Sequence, residues 1–474
     1  MRHTVEKIGG TSMDRIDTLR DTLIVGDRAP EDVYGRIFVV SAFSGVTNLL
    51  LEHKKTGEPG AYAAFANKDN DHGWHERLDH VAQAMMDAHA KVLDTPADIE
   101  RADAFVRDRL QGARDCMTDL RRLCTSGHFR LSENLAQTRE MLSGLGEAHS
   151  AFVTTLMLQR AGINARFVDL SGWRDEDVLN LDERITRAMK NVDTATELPI
   201  VTGYAQCAEG LVREYDRGYS EVTFSKLAAL TGAREAIIHK EFQLSSADPK
   251  LVGAKAVRKL GRTNYDVADQ LSNMGMEAIH PKAAKTLRQA EVPLRVTNAF
   301  EPDDSGTLID DQPTNTPAVE IVTGLELFAL ELFEQDMVRV KGYDAAILDI
   351  LSRHRVRIVS KVSNANTITH YVDSSMKVLR RVEKDLAKLY PAAEISLRAI
   401  GMASVIGRDL SGLSVLTRGL QAIAEAGVEA IGASQGPRNV DVQFILERDA
   451  LHAAIEALHA ELVEKTRPQI SVAA

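Results

Sequence analysis

Five short runs of β-branched and aliphatic residues recur in the first two thirds of the chain, and stretches with helical periodicity separate them. The runs are GRIFVVSAF, ARFVDLSG, LPIVTGYA, EAIIHKEF and PLRVTNAF. None of them alternates strictly between apolar and polar residues, as a strand with one face in solvent would. Parallel strands need a crossover between them, usually a helix, so this rhythm predicts an α/β fold with a buried, mostly parallel sheet.

A stretch rich in Pro, Asp and Thr, EPDDSGTLIDDQPTNTPAVE, begins at Glu301 and separates this region from a different one. Beyond it, a pattern of strand, helix and strand occurs twice, from VEIVTGLELFALELF to NTITHYVD and from LRAIGMASVIG to NVDVQFILE. We predict a boundary near Thr314. A first domain would span residues 1–312, and two small units, consecutive or interleaved, would span residues 313–395 and 396–474.

Length and charge limit the partners of such a protein. Its 474 residues exceed what one hydrophobic core usually fills, and 57 Lys and Arg against 68 Asp and Glu give a net charge of -11. An acidic chain suits neither nucleic acid nor an anionic membrane, so a small molecule or another subunit is the expected partner. The three cysteines form no CxxC pair, no metal-ligand set is predicted, and neither a signal peptide nor a membrane span is visible, which favours a cytoplasmic location.

The loop KIGGTSM follows the first short apolar run and precedes a helix that we expect to begin near Ser12 or Asp14. Gly9 and Gly10 allow the backbone to approach a ligand closely, a helix start offers free N–H groups, and Lys7 adds a positive charge. The loop therefore suits an anion, although an ordinary capped turn explains two adjacent glycines about equally well. It matches neither the phosphate-loop motif nor GxGxxG.

A second polar loop lies in VVSAFSGVTNLL, where Ser41, Ser44 and Thr47 follow the strand predicted to end at Val40. Ligands of α/β sheets bind at such strand ends. Helix capping by Ser44 or Thr47 is the alternative.

The third polar segment is REMLSGLGEAHSAFV, in which Glu147 and Ser150 follow Gly144 and Gly146. If the glycines break the helix, the Glu147 carboxylate stands at a helix start and is available to a substrate ammonium. A solvated glutamate in a first helical turn is the alternative.

The fourth polar loop, in EYDRGYSEVTFSKLAAL, presents Arg217, Ser220 and Glu221 just before a helix. Arginine suits bidentate binding of a carboxylate or phosphate, whereas a surface Arg–Glu pair of little energetic value is the alternative. Four such polar loops, each expected after a strand, are harder to explain by capping together than any one of them is alone.

Together the loops resemble those of the aspartate kinases (aspartokinases) of the amino acid kinase family. The KFGGTSV motif of that family reads KIGGTSM here, and its VVSAxSGVTN motif is nearly intact at residues 39–48. Its GExxS, HP and GTLI segments are found at residues 146–150, 280–281 and 306–309, and SQGPRNVDVQFIL resembles a strand pair of the second ACT module. The resemblance spans essentially the whole chain, and its first two motifs are highly specific.

This resemblance implies a three-layer αβα amino-acid-kinase domain with a mostly parallel sheet, followed by two βαββαβ ACT-type modules that bind effectors and form a homodimer. The implied reaction is transfer of the γ-phosphoryl group of ATP, with Mg²⁺ carried by the nucleotide, to the side-chain carboxylate of L-aspartate. Such a reaction needs positioning and cancellation of charge more than covalent catalysis.

Position by position, the resemblance implies three sets of site residues, in which Glu147 binds the substrate ammonium and Arg217 its α-carboxylate. The catalytic set is Lys7, Arg217, Ser220 and Glu221. The substrate-binding set is Ser41, Thr47, Glu147 and Arg217. The nucleotide-binding set is Lys7, Ile8, Gly9, Gly10, Ser12, His239, Lys240, Ser245 and Lys250.

Several positions depart from the family pattern. The RGGSD motif reads RGYSE, so that Tyr219 replaces a glycine and Glu221 an aspartate. On the nucleotide side, Ser245 replaces a tyrosine, Lys250 an arginine, and Glu277 a common lysine.

The regulatory part departs as well. Val359 and Ala365 replace acidic residues of a segment that serves the inhibitor site in the family. We therefore predict weak or absent inhibition by lysine. The divergence resembles that of the specialised aspartate kinases associated with ectoine synthesis.

Two other functions fit part of this pattern. The departures at Tyr219, Ser245 and Glu277 favour a non-catalytic regulatory protein that keeps its ACT modules. Retention of Lys7, Glu147 and Arg217 argues against it, because burying unpaired charges costs energy. A kinase for another small acid, such as acetylglutamate, is disfavoured by the SGVTN motif and the ACT pair.

Overall fold

The computed structural model describes residues 3–67, 73–215, 217–276, 278–312 and 316–465. The chain forms two compact units, the first from Met1–Leu244 with Ile279–Asp311 and the second from Ser245–Ala278 with Gln312–Ala474. Residues 245–278 thus group with the C-terminal part, although the sequence analysis placed them within the first domain.

The described residues form strands and α-helices throughout both units. The strands are β1 (Thr4–Ile8), β2 (Arg36–Val40), β3 (Ala165–Val168), β4 (Leu198–Thr202), β5 (Glu235–Lys240), β6 (Arg262–Thr263), β7 (Leu294–Asn298), β8 (Thr307–Ile309), β9 (Ile321–Phe333), β10 (Arg357–Ser363), β11 (Thr367–Asp373), β12 (Glu394–Ile406), β13 (Ala430–Gln435) and β14 (Asp441–Glu447). The helices are α1 (Gly10–Met13), α2 (Ile16–Leu19), α3 (Val46–Leu50), α4 (Ala61–Ala66), α5 (Gly73–Ala90), α6 (Pro96–Cys124), α7 (Leu131–Arg160), α8 (Leu181–Met189), α9 (Leu211–Tyr215), α10 (Tyr219–Thr231), α11 (Pro249–Val252), α12 (Tyr265–Asn273), α13 (Pro281–Gln289), α14 (Tyr343–Arg353), α15 (Met376–Leu389), α16 (Val415–Glu425) and α17 (Leu451–His459). Among the residues described, no helix is both long enough and apolar enough to cross a membrane.

The strands of the first unit form one sheet in the order β3-β4-β2-β1-β5-β7-β8. All neighbouring pairs are parallel except β7 with β8. The five apolar runs predicted to be strands are β2, β3, β4, β5 and β7, so the predicted fold class of this region is confirmed.

Successive side chains of a strand point to opposite faces of the sheet. Because these strands have apolar side chains on both faces, both faces of the sheet are covered by helices. Phe38 and Val40 of β2 share a core with Leu145 of α7. On the other face, α10 contacts β1, β2 and β5. Lys7 points to that face, where it meets Glu221 of α10. A three-layer αβα unit results.

A buried ionic network lies on the α7 face of the sheet. The guanidinium of Arg36 donates to both carboxylate oxygens of Glu6, at 2.7 and 2.9 Å, and also to the carbonyl oxygens of Leu23 and Ile24. His239 contacts the same carboxylate at 2.8 Å. Burial alone would raise the pKa of Glu6, but Arg36 and His239 hold it well below its usual value. The carboxylate is therefore charged and fully bonded.

We predict that Arg36→Leu lowers the free energy of unfolding of the first unit by about 3–5 kcal/mol, because Glu6 would stay buried without its main counter-charge. Thermal or urea unfolding followed by circular dichroism measures this loss. Arg122→Leu is the control, because the Arg122–Asp119 pair is exposed and is expected to contribute less than about 1 kcal/mol. Equal losses in the two variants would contradict the prediction.

The second unit contains a six-stranded sheet in the order β10-β11-β9-β12-β14-β13. Its two central strands, β9 and β12, have 13 residues each and pair antiparallel along their whole length. The last half of β9 pairs with β11, and the last half of β12 pairs with β14. Each long strand therefore belongs to two modules.

The two modules are interleaved. One is continuous, from Phe328 of β9 through α14, β10, β11 and α15 to Ala399 of β12. The other takes its strands from the first half of β9, the last half of β12, and β13 and β14, and it carries α16 and α17. Separate cores support this division, since Leu330 and Val382 lie in one and Val322 and Phe444 in the other. Both are ACT-type βαββαβ arrangements, the second with its last strand taken from earlier in the chain.

Candidate active site

Loops from the carboxyl ends of β1, β2 and β4 meet beside α7 and α10, and a glycine allows them to meet. A Cβ atom on Gly203 would lie 2.8 Å from Ser220 Cβ, 2.9 Å from the Val40 carbonyl oxygen and 3.3 Å from Glu147 Cδ. No other residue fits there without displacing its neighbours. Side chains from β2, α7 and α10 are thereby concentrated at the edge of the sheet where α/β folds bind ligands.

Lys7 stands near the end of β1 and is only 7% exposed. Its Nζ lies 3.7 Å from Oε1 of Glu221, the first-turn glutamate of α10. The other carboxylate oxygen of Glu221 accepts a hydrogen bond from the main-chain N–H of His280. At 3.7 Å the ion pair lacks a close hydrogen bond, so the ammonium keeps its capacity to bind an anion.

The glycine loop after β1 begins a helix earlier than the sequence predicted. Gly9 is the extended N-cap residue and α1 starts at Gly10, so the expected start at Ser12 or Asp14 was wrong. A Cβ on Gly10 would lie 3.0 Å from the Ala42 carbonyl oxygen, whereas one on Gly9 would meet no atom within 4 Å. Gly10 thus serves loop packing, and the backbone at Gly9 faces open space. Ser12 is buried and donates to Glu241 at 2.7 Å.

Glu147 is the most unusual charged group of the site. It is 3% exposed, and its Oε2 has no hydrogen-bond partner in the described part of the chain. Burial raises its pKa well above the usual value, and the charge of Lys7 and a hydrogen bond from the main-chain N–H of Tyr204 offset part of that rise. A buried carboxylate with a free oxygen is costly unless a ligand supplies a donor.

Helix α7 runs unbroken from Leu131 to Arg160, so Gly144 and Gly146 do not break it, which decides a question that the sequence left open. These glycines serve close packing. A Cβ on Gly144 would lie 2.8 Å from the Tyr204 ring, and one on Gly146 would lie 2.9 Å from Ala42 Cβ. Glu147 therefore reaches the site from the middle of a long helix that lies close against the β2 and β4 loops.

Ser41, Thr47 and Ser220 are brought together, and a residue outside the predicted sets joins them. Ser41 Oγ lies 3.5 Å from Ser220 Oγ. Tyr219, which is 3% exposed, bonds to the side chain of Thr47, and the charges of Glu147 and Arg217 both act on it. A tyrosine in place of a motif glycine was the signal that could have placed Tyr219 in the site.

Arg217 is held by groups of the α3 region. Its guanidinium donates to Oδ1 of Asn48 and to the main-chain oxygen of Glu52, and it lies 3.7 Å from the Glu52 carboxylate. Glu52 also accepts two bonds from Arg139, at 2.7 and 2.6 Å, and these bonds lower its pKa. Because Arg139 alone can balance Glu52, Arg217 can leave that carboxylate for a substrate at modest cost.

The residues predicted for the nucleotide are distributed over both units. Ile8 is buried in β1, and His239 and Lys240 end β5. Both ring nitrogens of His239 have partners, Glu6 and Thr297 at 2.8 Å each, and its main chain lies in the sheet between β1 and β7. Ser245 and Lys250 belong to the second unit, where Ser245 Oγ donates to the Ala247 carbonyl oxygen. Glu277 lies outside the described residues.

Two buried histidines and an aspartate form a hydrogen-bonded chain next to the loop that carries Ser41 and Thr47. His89 of α5 lies 3.0 Å from both His149 of α7 and Asp103 of α6. The His149 ring packs against Phe43 at 5.4 Å, and the next residue, Ser150, donates to the Ser41 carbonyl oxygen at 2.8 Å. This chain ties three helices to the loop that carries Ser41 and Thr47.

This histidine chain makes stability depend on pH. Burial lowers the pKa of His149 from 6.5 to about 3. Between these two pH values the unfolded chain binds a proton at His149 and the folded chain does not. The protein therefore has its full stability with respect to this residue above pH 6.5 and loses stability as the pH falls towards 3. We expect His149→Met to lose less melting temperature than the unchanged chain when the pH is lowered from neutral to 5. An equal loss of melting temperature in the variant and the unchanged protein would contradict this.

Comparison with known proteins agrees with the geometry. Residues 2–298 match the amino acid kinase family. The aspartate kinase Ask_Ect of Stutzerimonas stutzeri is 50% identical over 464 residues, which cover 98% of each chain. The chain belongs to the aspartate kinases of the amino acid kinase family. The resemblance found in the sequence is thereby confirmed.

Solved aspartate kinase structures share the fold. Escherichia coli aspartokinase III in complex with lysine and aspartate has a TM-score of 0.71 and 18% identity, over 97% of this chain and 99% of that one. The same protein in complex with aspartate and ADP has a TM-score of 0.70 and 17% identity over the same shares. These likenesses confirm the predicted architecture of an aspartate kinase, an amino-acid-kinase domain followed by ACT-type modules.

Proposed function

We propose that this aspartate kinase transfers the γ-phosphoryl group of ATP to the side-chain carboxylate of L-aspartate, forming 4-phospho-L-aspartate and ADP. The buried Glu147 carboxylate carries the proposal, because one of its oxygens lacks a partner among the described residues. The ammonium of an amino acid would supply both the missing donor and the missing charge. The complex of E. coli aspartokinase III with aspartate and ADP, which are the acceptor and the product nucleotide of this reaction, supports the proposal.

The phosphoryl side of the site is formed by Lys7, Gly9 and Ser220. ATP supplies the phosphoryl group, and we infer that Mg²⁺ arrives on its phosphates. These residues fit such a group, because a Cβ on Gly9 would meet no atom within 4 Å and because, among the described residues, the buried Lys7 ammonium has only a 3.7 Å ion pair with Glu221 and no close hydrogen bond. Lys7 would cancel charge on the transferring group, and Glu221 would hold Lys7 in place.

The aspartate side is formed by Ser41, Thr47, Glu147 and Arg217. In this proposal Glu147 binds the ammonium, while Ser41 and Thr47 line the pocket that orients the side-chain carboxylate towards the phosphoryl group. Tyr219 fills the space beside Thr47, so it would close the pocket around a short acid. The aligned carboxylate oxygen attacks phosphorus as the bond to the leaving ADP breaks.

We predict that Arg217→Ala raises the KM for aspartate by about 30-fold or more and changes kcat less, because the α-carboxylate would lose a bidentate partner. Steady-state kinetics at saturating ATP measure this. Arg122→Ala, at an exposed position, should leave KM unchanged. An unchanged KM in Arg217→Ala would remove this residue from the aspartate site.

The proposal is tested by coupled release of ADP and by hydroxamate trapping of the acyl phosphate, with aspartate, glutamate and acetylglutamate as acceptors. Turnover with aspartate alone is the expected result. Turnover with another acid would favour a different kinase, and no turnover with any acid would favour a non-catalytic regulatory protein. Adding lysine to the same assay tests the predicted weak or absent inhibition, which inhibition at low lysine concentration would contradict.

Three further assignments belong to this proposal. The 50% identity to Ask_Ect supports the clade associated with ectoine synthesis. A homodimer formed through the ACT-type modules and a cytoplasmic location stay predictions.

A further inference from the structure

A second cavity lies at the carboxyl ends of β3 and β4, and none of the residues assigned to aspartate or ATP lines it. It has a volume of about 460 Å³, within the usual range for small-molecule sites. Its walls come from α6, α7 and the loops that follow β3 and β4, and they include Glu140, Met141, Trp173, Tyr204 and Arg213. We propose that this cavity binds a small effector with a cationic nitrogen and an apolar body, and that its occupancy alters the binding of aspartate.

The cavity has preformed walls. A Cβ on Gly172 would lie 2.7 Å from Gln206 Cβ, and the Gln206 N–H donates to the Leu170 carbonyl oxygen at 2.8 Å. Arg184 bonds to the Gln206 side chain and to Asp175. The two loops are thus fixed to each other, so a ligand would not need to order them.

The charge of Glu140 indicates the class of ligand. Its two oxygens accept from the Tyr204 hydroxyl at 2.8 Å and from the main-chain N–H of Arg213 at 2.9 Å. A carboxylate can accept about four hydrogen bonds, so Glu140 keeps capacity for a ligand. Within the described residues no cation forms an ion pair with it. An ammonium is the group that would satisfy both the charge and the open acceptor sites.

Two arginines also line the cavity, and each has a partner outside it, Arg174 the Asp108 carboxylate and Arg213 the Glu209 carbonyl oxygen. Much of the remaining lining is suited to an apolar body. Met141 and Leu145 of α7 and the rings of Trp173 and Tyr204 supply apolar and aromatic surface. Aromatic walls beside a carboxylate favour organic cations over inorganic ones, because the rings attract the charge and pack against the carbon skeleton.

Tyr204 connects the cavity to the active site. Residues 140, 144 and 147 lie on one face of α7 at helical spacing. Tyr204 spans this face, since its hydroxyl bonds to Glu140, its ring packs on Gly144 and its main-chain N–H donates to Glu147. A ligand that shifts Glu140 or the Tyr204 ring would also shift the hydrogen bond that holds the Glu147 carboxylate. This coupling rests on the proposed role of Glu147 in binding aspartate, whereas the cavity itself does not.

Titration calorimetry with phenethylamine tests the site without requiring turnover. We expect the full-length protein to bind it, and phenethyl alcohol, which has the same body without the charge, to bind at least about tenfold more weakly. Glu140→Gln, which keeps the size of the side chain and one acceptor oxygen but removes the charge, should weaken phenethylamine about tenfold. Glu133→Gln, an exposed change on the same helix, should not. Absence of binding, or equal binding by Glu140→Gln, would overturn the cavity as a cation site.

Aspartate kinetics in the presence of phenethylamine test the coupling separately. We expect the KM for aspartate to change at least about threefold in the unchanged protein and not in Glu140→Gln. Binding without any change in KM would overturn the coupling. A protein that binds phenethylamine but phosphorylates no acid would leave the cavity standing and refute the proposed function instead.

Discussion

Replacing Lys7 by alanine is expected to lower kcat about a thousandfold, because removal of a preorganised positive charge from a buried phosphoryl-transfer site costs the stabilisation of charge that develops in the transition state. Lys7 is suited to this effect because it is 7% exposed and its nearest carboxylate is 3.7 Å away. Coupled release of ADP at saturating aspartate and ATP measures the change.

Two controls separate catalysis from folding in this experiment. Lys54→Ala, at an exposed position of a loop, should keep kcat within about twofold. The circular dichroism spectrum of Lys7→Ala should match that of the unchanged protein, since Glu221 keeps its bond from the His280 N–H. Normal turnover in Lys7→Ala would refute the assigned role.

Glu147→Gln is expected to raise the KM for aspartate about 100-fold, since truncating one partner of a buried charge pair costs about 2–5 kcal/mol. Unlike most charge removals, this change should not destabilise the free protein. A neutral amide is cheaper to bury than a carboxylate whose Oε2 has no partner among the described residues. The pair of results, weaker binding with equal or higher stability, is characteristic of a charge kept for a ligand.

Glu147 should also make the affinity for aspartate depend on pH. Because burial raises the pKa of Glu147 well above its usual value, lowering the pH protonates it early and removes the charge that binds the ammonium. The affinity for aspartate should therefore fall as pH falls through the raised pKa, and Glu147→Gln should lack this dependence. Glu133→Gln, an exposed change on α7, is the control for both experiments. A pH profile shared by all three proteins would contradict the assignment.

Local patterns predicted the sheet and the loops well. Buried parallel strands such as β2 and β4 have continuous apolar sequences that do not depend on distant residues. The motif loops at Lys7, Ser41 and Ser220 follow strands or begin helices, so their approximate placement also follows from the sequence.

The sequence was insufficient where a distant contact decides the local structure. It left open whether Gly144 and Gly146 break a helix, but Tyr204 and Ala42 occupy the space that their missing side chains leave, and packing keeps α7 continuous. No residue near Gly144 or Gly146 in the sequence indicates these contacts. The partners of Arg217, Asn48 and Glu52, are likewise remote in sequence, and so is the association of residues 245–278 with the C-terminal unit.

Tyr219 has a different meaning in the structure from the one that the sequence suggested. In the sequence it counted as damage to a motif, yet in the fold it is buried and bonded to Thr47. A change that looks like decay can therefore be part of an altered but complete pocket.

Because the two ACT-type modules share β9 and β12, one module can complete its sheet earlier during synthesis than the other. The module from residues 328 to 399 has every strand it needs once β12 has been synthesised. The first strand of the other module to be synthesised is the first half of β9. Its sheet is complete only after β14, which ends at Glu447 and pairs with both β12 and β13. During that delay the last half of β12 lacks its partner β14 and leaves an open strand edge, so arrest of synthesis between β12 and β14 would release a chain prone to aggregation.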